Sequence, residues 1–227
     1  MKTLIFISAM IIGTLGISQT SNKELKQIKE ELSVKYINDL NRGVLLVRLK
    51  TKSTTINALK EHGQLEKAKK VEKEVLEFNV TLIQAFKSNF NFCDVYFFTS
   101  DYTSRVKNKQ FNEVFFLDDK GEVDENITPN PDVFLIAEYG SVEADTVTYY
   151  QGTHTQQGKE GLETRDTYSG RGSFGFEALL MRNDQFVQLS DPFPYYIKTW
   201  DSAIKPAKVV KKLNKKLHQF YNGVRVD

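Results

Sequence analysis

Apolar residues recur at three- and four-residue steps early in the chain. Leu25, Ile28, Leu32, Tyr36 and Leu40 trace one face of a 3.6-residue period, which predicts a helix over 22–40. Asn41-Arg42-Gly43 supplies its stop, with Gly43 able to turn left-handed. The pattern then changes. "VLLVRL" (44–49) is apolar nearly throughout, as a strand covered on both faces is. A second helical stretch runs from about 54 to 88. His62-Gly63 interrupts it, because Gly inside a helix costs about 1 kcal/mol relative to Ala. Beyond that break Leu65, Ala68, Val71, Val75, Phe78, Leu82 and Phe86 form a stripe, with Lys and Glu between them on a solvated face. "DVYFFT" (94–99) is the next strand, a turn at 100–104 leads into a short helix, and "VFFLDD" (114–119) follows as a third strand.

Strand, long helix, strand, short helix, strand is the order of a parallel sheet with helical crossovers. After residue 118 the order differs. "DDKG" (118–121) is a turn, and "DVFLIAEY" (132–139), "TVTYY" (146–150), "LETRDTY" (162–168), "FGFEALLM" (174–181) and "QFVQL" (185–189) are strands. Asn183-Asp184 suits a tight hairpin turn between the last two. A closing helix spans about 205–221, with Pro206 in its first turn and Asn222-Gly223 as its stop. The class predicted is α/β: a mixed sheet of six to eight strands, parallel and helix-covered in its first half and mostly antiparallel in its second. A thioredoxin-like or Rossmann-like core fits that order.

Residues 1–18 have a different character. A short positive start precedes "LIFISAMIIGTLGIS", and Gly16-Ile17-Ser18 has the small-x-small form of a signal-peptidase site. This predicts a secretory leader, a mature chain 19–227 forming one domain, and a secreted or periplasmic location. The run is short for a membrane span, which needs about 20 apolar residues, and no transmembrane segment is expected after cleavage. Hydrophobic content of 40% with 12% aromatics belongs to a folded chain rather than a disordered one. The one cysteine, Cys93, rules out an internal disulfide and any CxxC chemistry; in "NFCDVYFF" it reads as a small buried residue.

Net charge is +2, which gives no basis for nucleic-acid binding. The charges are segregated, however. Residues 113–145 carry ten acids against Lys120 alone, and residues 198–227 carry eight bases against two acids. These blocks either face each other or serve partners. The closing helix, with Val210, Leu213, Leu217 and Phe220 on one face and Lys205, Lys208, Lys211, Lys212, Lys215 and Lys216 elsewhere, either docks on the sheet or lies on an anionic membrane.

The chemistry-bearing positions cluster in a few places. If strands 44–49 and 94–99 are parallel neighbours, the turns that follow them share the sheet edge at which open α/β folds bind ligands. Lys52, Ser53, Thr54, Ser100, Asp101, Thr103, Ser104 and Arg105, with Thr51, would then offer hydroxyls, a carboxylate and positive charge. The plainer reading makes these Ser, Thr and Asp residues N-caps of the next helices. Neither GxGxxG nor GxxxxGK[ST] occurs, and no cofactor is expected. The polar stretch 151–175 holds six of the 13 glycines and carries His154, Glu160, Glu163, Arg165, Asp166, Tyr168 and Arg171. It reads as a mobile, partner-binding loop, or as a hydrolase-like site. With three histidines in all and no HExxH, no metal site is expected. The acidic run 118–132 reads as a solvated turn rather than a calcium loop, since Gly121 falls at the fourth position, not the sixth. "DPFPYYIKTW" (191–200) is dense in aromatics and reads as core, with Phe193-Pro194 a candidate cis bond.

Three functions follow as expectations. The first is a non-catalytic binding protein for an unknown protein or small-molecule partner. The second is an enzyme, hydrolase-like, with its site at 51–54 and 100–105 or in 151–175. The third is a degenerate thioredoxin-like scaffold without CxxC.

Overall fold

In the computed structural model the protein is described over residues 22–142, 176–199 and 205–223. The elements are α1 (Asn22–Arg42), β1 (Val44–Leu49), α2 (Ser53–Glu61), α3 (Leu65–Asn89), β2 (Asp94–Thr99), a 3-10 turn (Ser100–Tyr102), α4 (Thr103–Lys107), β3 (Phe116–Leu117), β4 (Phe134–Ser141), β5 (Glu177–Arg182), β6 (Tyr196–Lys198) and α5 (Pro206–Tyr221). The sheet has six strands in the order β3-β2-β1-β4-β5-β6. β1 sits at its centre, parallel to both β2 and β4. β3, β5 and β6 are each antiparallel to their neighbours.

The α/β class and mixed sheet agree with the periodicity, but the distribution of parallel pairing does not. The third strand is two residues long and antiparallel to β2, and the 118–122 turn then folds the chain back so that Val123 bridges Leu117. β4, placed by sequence in the antiparallel half, pairs parallel with β1. Residues 185–189 form no strand. Asn183 instead closes a turn in which its Oδ1 accepts from the Gln185 and Val187 amides, leaving one bridge to Gln188. β6 stands where only packed aromatics were expected. Six strands are therefore seen among the described residues, within the expected six to eight, and the expected strands 146–150 and 162–168 lie outside those residues.

Side chains alternate across each strand, and each face of the sheet has its own core. On one face Leu45, Val47 and Leu49 of β1, Phe97 of β2, Leu135 and Ala137 of β4 and Leu179 and Met181 of β5 pack under α1, α3 and α5. The helices contribute Ile37 and Leu40, Leu82, Ile83 and Phe86, and Val209, Val210, Leu213 and Leu217. On the other face Leu46, Phe98, Phe134 and Ile136 pack under α4 and the segment 111–116, through Val106, Phe111, Val114 and Phe116. Phe193, in the aromatic-rich segment, is buried as expected, while the cis bond lies at Asp191-Pro192 rather than Phe193-Pro194.

Two expected stripes are buried over half their length only. Ile28 and Leu32 of α1 are exposed, and α1 engages the core over its second half, through Tyr36, Ile37 and Leu40. In α3, Leu65 and Phe78 are exposed while Leu82, Ile83 and Phe86 are fully buried. A 25-residue helix is about 38 Å long, whereas a six-residue strand spans about 20 Å. The first half of α3 therefore overhangs the sheet and packs against α2, tied by Lys60–Glu72 at 2.6 Å. The break between α2 and α3 falls at the expected place, with Gly63 at φ 70°.

Gly43 has a different role from the one its position suggests. It does not adopt a positive φ. A Cβ there would overlap the Val133 carbonyl oxygen and stand 2.9 Å from that of Asp39. The chain passes from α1 into β1 pressed against the entry to β4, where the Val44 amide donates to the same Val133 oxygen. Gly43→Ala is expected to destabilise the protein by about 1–3 kcal/mol through overpacking, read as a lower midpoint in urea; an unchanged midpoint would show that the approach relaxes freely.

Candidate functional site

The parallel pairing puts Leu49 of β1 level with Thr99 of β2. The two strands thus release their chains side by side at one edge of the sheet. Beyond β1, Lys52 takes the left-handed conformation (φ 52°), which turns the backbone from strand to helix within three residues. Left-handed backbone is uncommon outside glycine, and here the residues on both sides are held. The Thr51 amide donates to Ser100 Oγ at 3.2 Å, and Thr51 Oγ1 lies 3.0 Å from the same oxygen. Asp101 Oδ1 accepts from Thr51 Oγ1 at 2.9 Å and Ser53 Oγ at 3.0 Å.

The hydroxyls therefore join the two turns instead of capping their own helices. The N-cap positions of α2, the 3-10 turn and α4 are Lys52, Thr99 and Tyr102, and none makes a side-chain cap bond. Of the residues singled out by sequence, Ser53, Ser100 and Asp101 meet, together with Thr51. Thr103 binds inward, donating to the Ser100 carbonyl at 2.5 Å. Lys52, Thr54 and Ser104 are exposed. Arg105 points away: its Nε donates to Glu113 at 3.1 Å and its guanidinium lies 5.7 Å from the Tyr102 ring. An Asp101–Arg105 pair facing one crevice is not what forms. His154, Arg165, Asp166, Tyr168 and Arg171 lie outside the described residues.

Beneath this edge lies a charge cluster that the sequence reading missed. Arg48 of β1 stands directly opposite Glu138 of β4. Arg182 of β5 is two positions from Leu180, the residue opposite Glu138, and so is its diagonal neighbour on the same face. One Glu138 oxygen accepts from Arg48 Nη1 and the other from Arg182 Nε at 2.6 Å. Arg48 Nε continues to Thr103 Oγ1 at 2.8 Å, and Arg182 Nη1 to the Phe186 carbonyl at 2.8 Å. The Glu138, Arg182 and Arg48 side chains are 8%, 12% and 23% exposed. One polar chain thus runs from β5 through β4 and β1 to α4, and through Ser100 to Asp101. The signal was present as a single charge in each of three apolar runs, "LLVRL", "LIAEY" and "ALLMR". Charged residues are rarely buried unless paired.

Other candidates resolve as structure. Burial, with Asp94 adding to it, pushes the Cys93 thiol up to about 12, so it is protonated and unreactive at neutral pH. In the acidic run Asp118 Oδ1 accepts from the Glu122 and Lys120 amides, which hold its carboxyl below its usual range. Asp124 Oδ1 accepts from the Asn126 amide, so the run is two side-chain-closed turns. No group of His, Cys, Asp and Glu able to hold a metal ion occurs among the described residues. Above the sheet edge on the helical face, the Tyr139 ring meets Phe78 edge-on at 5.1 Å. Its buried hydroxyl has no hydrogen-bond partner among the described residues, and burial raises its pKa.

Removing one member of a buried ionic cluster leaves the others uncompensated, at about 3–5 kcal/mol. Glu138→Ala is expected to lower stability by that order in urea unfolding. Glu122→Ala, at an exposed position, should change it by less than about 0.5 kcal/mol. Equal effects at the two positions would show that Glu138 does not hold the arginines.

No family model, curated protein or solved structure matches the chain.

Proposed function

We propose that this chain is an exported binding protein without catalysis of its own. Its ligand is a small polar molecule that docks at the edge formed by the ends of β1, β2 and β4. The observation that carries the reading is the Asp101 bridge, which joins the turns after β1 and β2 into one hydroxyl-rich surface. Open α/β sheets bind ligands at this edge. Here β1 has a parallel neighbour on each side, the place where chain connections diverge. Thr51, Ser53, Ser100 and Asp101 would contact the ligand, with Lys52 exposed beside them and Arg48 held from below by Glu138 and Thr103. Binding is favoured over chemistry because the ionisable groups are committed to the fold. Asp101 Oδ1 accepts two hydroxyls, both Glu138 oxygens accept guanidinium donors, and Cys93 is protonated. Export rests on the leader-like residues 1–18.

The hydrolase-like alternative draws on the same Ser53–Asp101 bond, with Ser53 as nucleophile and Asp101 as base. The thioredoxin-like alternative called for a cis Phe193-Pro194 opposite the 100–105 turn. The cis bond is at Asp191-Pro192, next to β6, and three strands separate β6 from β2.

The test is a thermal-shift screen of residues 19–227 against small carboxylates, phosphates and sugars. A true ligand at a hundred times its Kd adds about 2.7 kcal/mol of stability. At least one class is expected to raise Tm in the wild type, and Asp101→Ala and Thr51→Val to abolish the shift. Hits that survive both substitutions, or turnover of a hit that Ser53→Ala abolishes, would sink the reading. Export predicts a mature N-terminus at Gln19 by intact mass; a chain retaining residues 1–18 would contradict it.

A further inference from the structure

α5 presents a charge pattern that no other described residue answers. Its apolar face is consumed: Val209, Val210, Leu213 and Leu217 are buried in the core beneath it. Lys205, Lys208, Lys211, Lys212 and Lys215 are exposed and Lys216 is partly exposed. Residues 205–223 contain no Asp or Glu. Among the described residues, none of the six lysines forms an ion pair.

The contrast with α3 is direct. There Lys69, Lys70 and Lys73 are matched to Glu66, Glu74 and Glu77 at three- or four-residue spacing. In α5 that spacing instead sets lysine beside lysine: 208 with 211 and 212, 211 with 215, and 212 with 215 and 216. Like charges so spaced repel. The described residues of the acidic block, 113–142, form no ion pair with these lysines. Glu113 is paired with Arg105 and Asp119 with Lys87, while Asp118 and Asp124 accept amides of their own turns.

We propose that the lysine face of α5 docks on an anionic lipid bilayer. The chemistry of the face selects that occupant. Its exposed residues through Lys216 are lysines and Ala207, without an aromatic or apolar anchor of the kind that carries a protein–protein interface. It has no arginine, whose planar fork suits bidentate recognition of individual phosphates and base edges; lysine is a point charge on a flexible stem, suited to a diffuse surface. Lys205 to Lys216 spread over about 17 Å along a straight helix, which spans several headgroups. Because the apolar face is already buried, the helix adsorbs without inserting, and attachment is electrostatic and sensitive to salt. This surface does not depend on the sheet-edge site.

The test is co-sedimentation of residues 19–227 with phosphatidylcholine vesicles in which one lipid in three is phosphatidylglycerol. Expected are binding at low salt, release at high salt and no binding to pure phosphatidylcholine. The triple variant Lys208→Gln, Lys212→Gln, Lys215→Gln should bind at least about tenfold more weakly while keeping the wild-type circular dichroism and Tm. Charge reversal at Lys208 and Lys212 serves as the second variant. The proposal is overturned by absence of binding, by equal binding to neutral vesicles, by binding that survives either variant, or by binding to duplex DNA or to a second copy of the chain while the vesicles stay free.

Discussion

The carboxylate of Glu138, held between two guanidiniums, is the interaction on which the rest of the sheet edge depends. β1 and β4 bring Arg48 and Glu138 level on one face, β5 adds Arg182 diagonally on the same face, and no one of the three could be buried alone. Burial of a lone ion costs several kcal/mol. A register slip by one residue would turn each of these charges onto the helical face, against the core beneath α1, α3 and α5. The cluster therefore penalises wrong pairings of the central strands more strongly than it stabilises the right one. It also reaches beyond the strands, because Arg48 holds Thr103 and with it the start of α4.

From Thr103 the same chain of bonds passes to Ser100 and on to Thr51, Ser53 and Asp101. The two turns at the sheet edge are thereby fixed to each other. A preorganised polar surface binds with less loss of side-chain freedom than one that must order on contact. The left-handed Lys52 belongs to this arrangement: it lets Thr51 face β2 while Ser53 begins α2. The lysine face of α5 lies on the other side of the sheet, among the helices, and answers to a different physical demand.

Much of this fold was legible in the sequence, for reasons that differ by element. α5, the second half of α3 and the break at Gly63 follow from a 3.6-residue period that tertiary packing respects. The adjacency of the 51–54 and 100–105 turns follows once β1 and β2 are taken as parallel neighbours. What was not legible depends on register and on close approach. Arg48, Glu138 and Arg182 are far apart in sequence, and only the alignment of β1, β4 and β5 makes them one cluster. β4 reads the same whether parallel or antiparallel, since a strand buried on both faces is apolar either way. Gly43 is required by the nearness of Val133, ninety residues on, and not by its own φ. Ile28 and Leu32 fit a helical stripe but extend past the sheet that would cover them.

The most direct measurement is amide chemical-shift mapping by NMR on isotopically labelled residues 19–227, titrated with the small molecule that raises Tm most. Perturbations concentrated at 48–54, 100–105 and 138, with those on α5 near zero, are expected if the linked turns form the binding surface. Perturbations centred elsewhere, with the amides of Thr51, Ser53 and Asp101 unmoved at saturation, would contradict it.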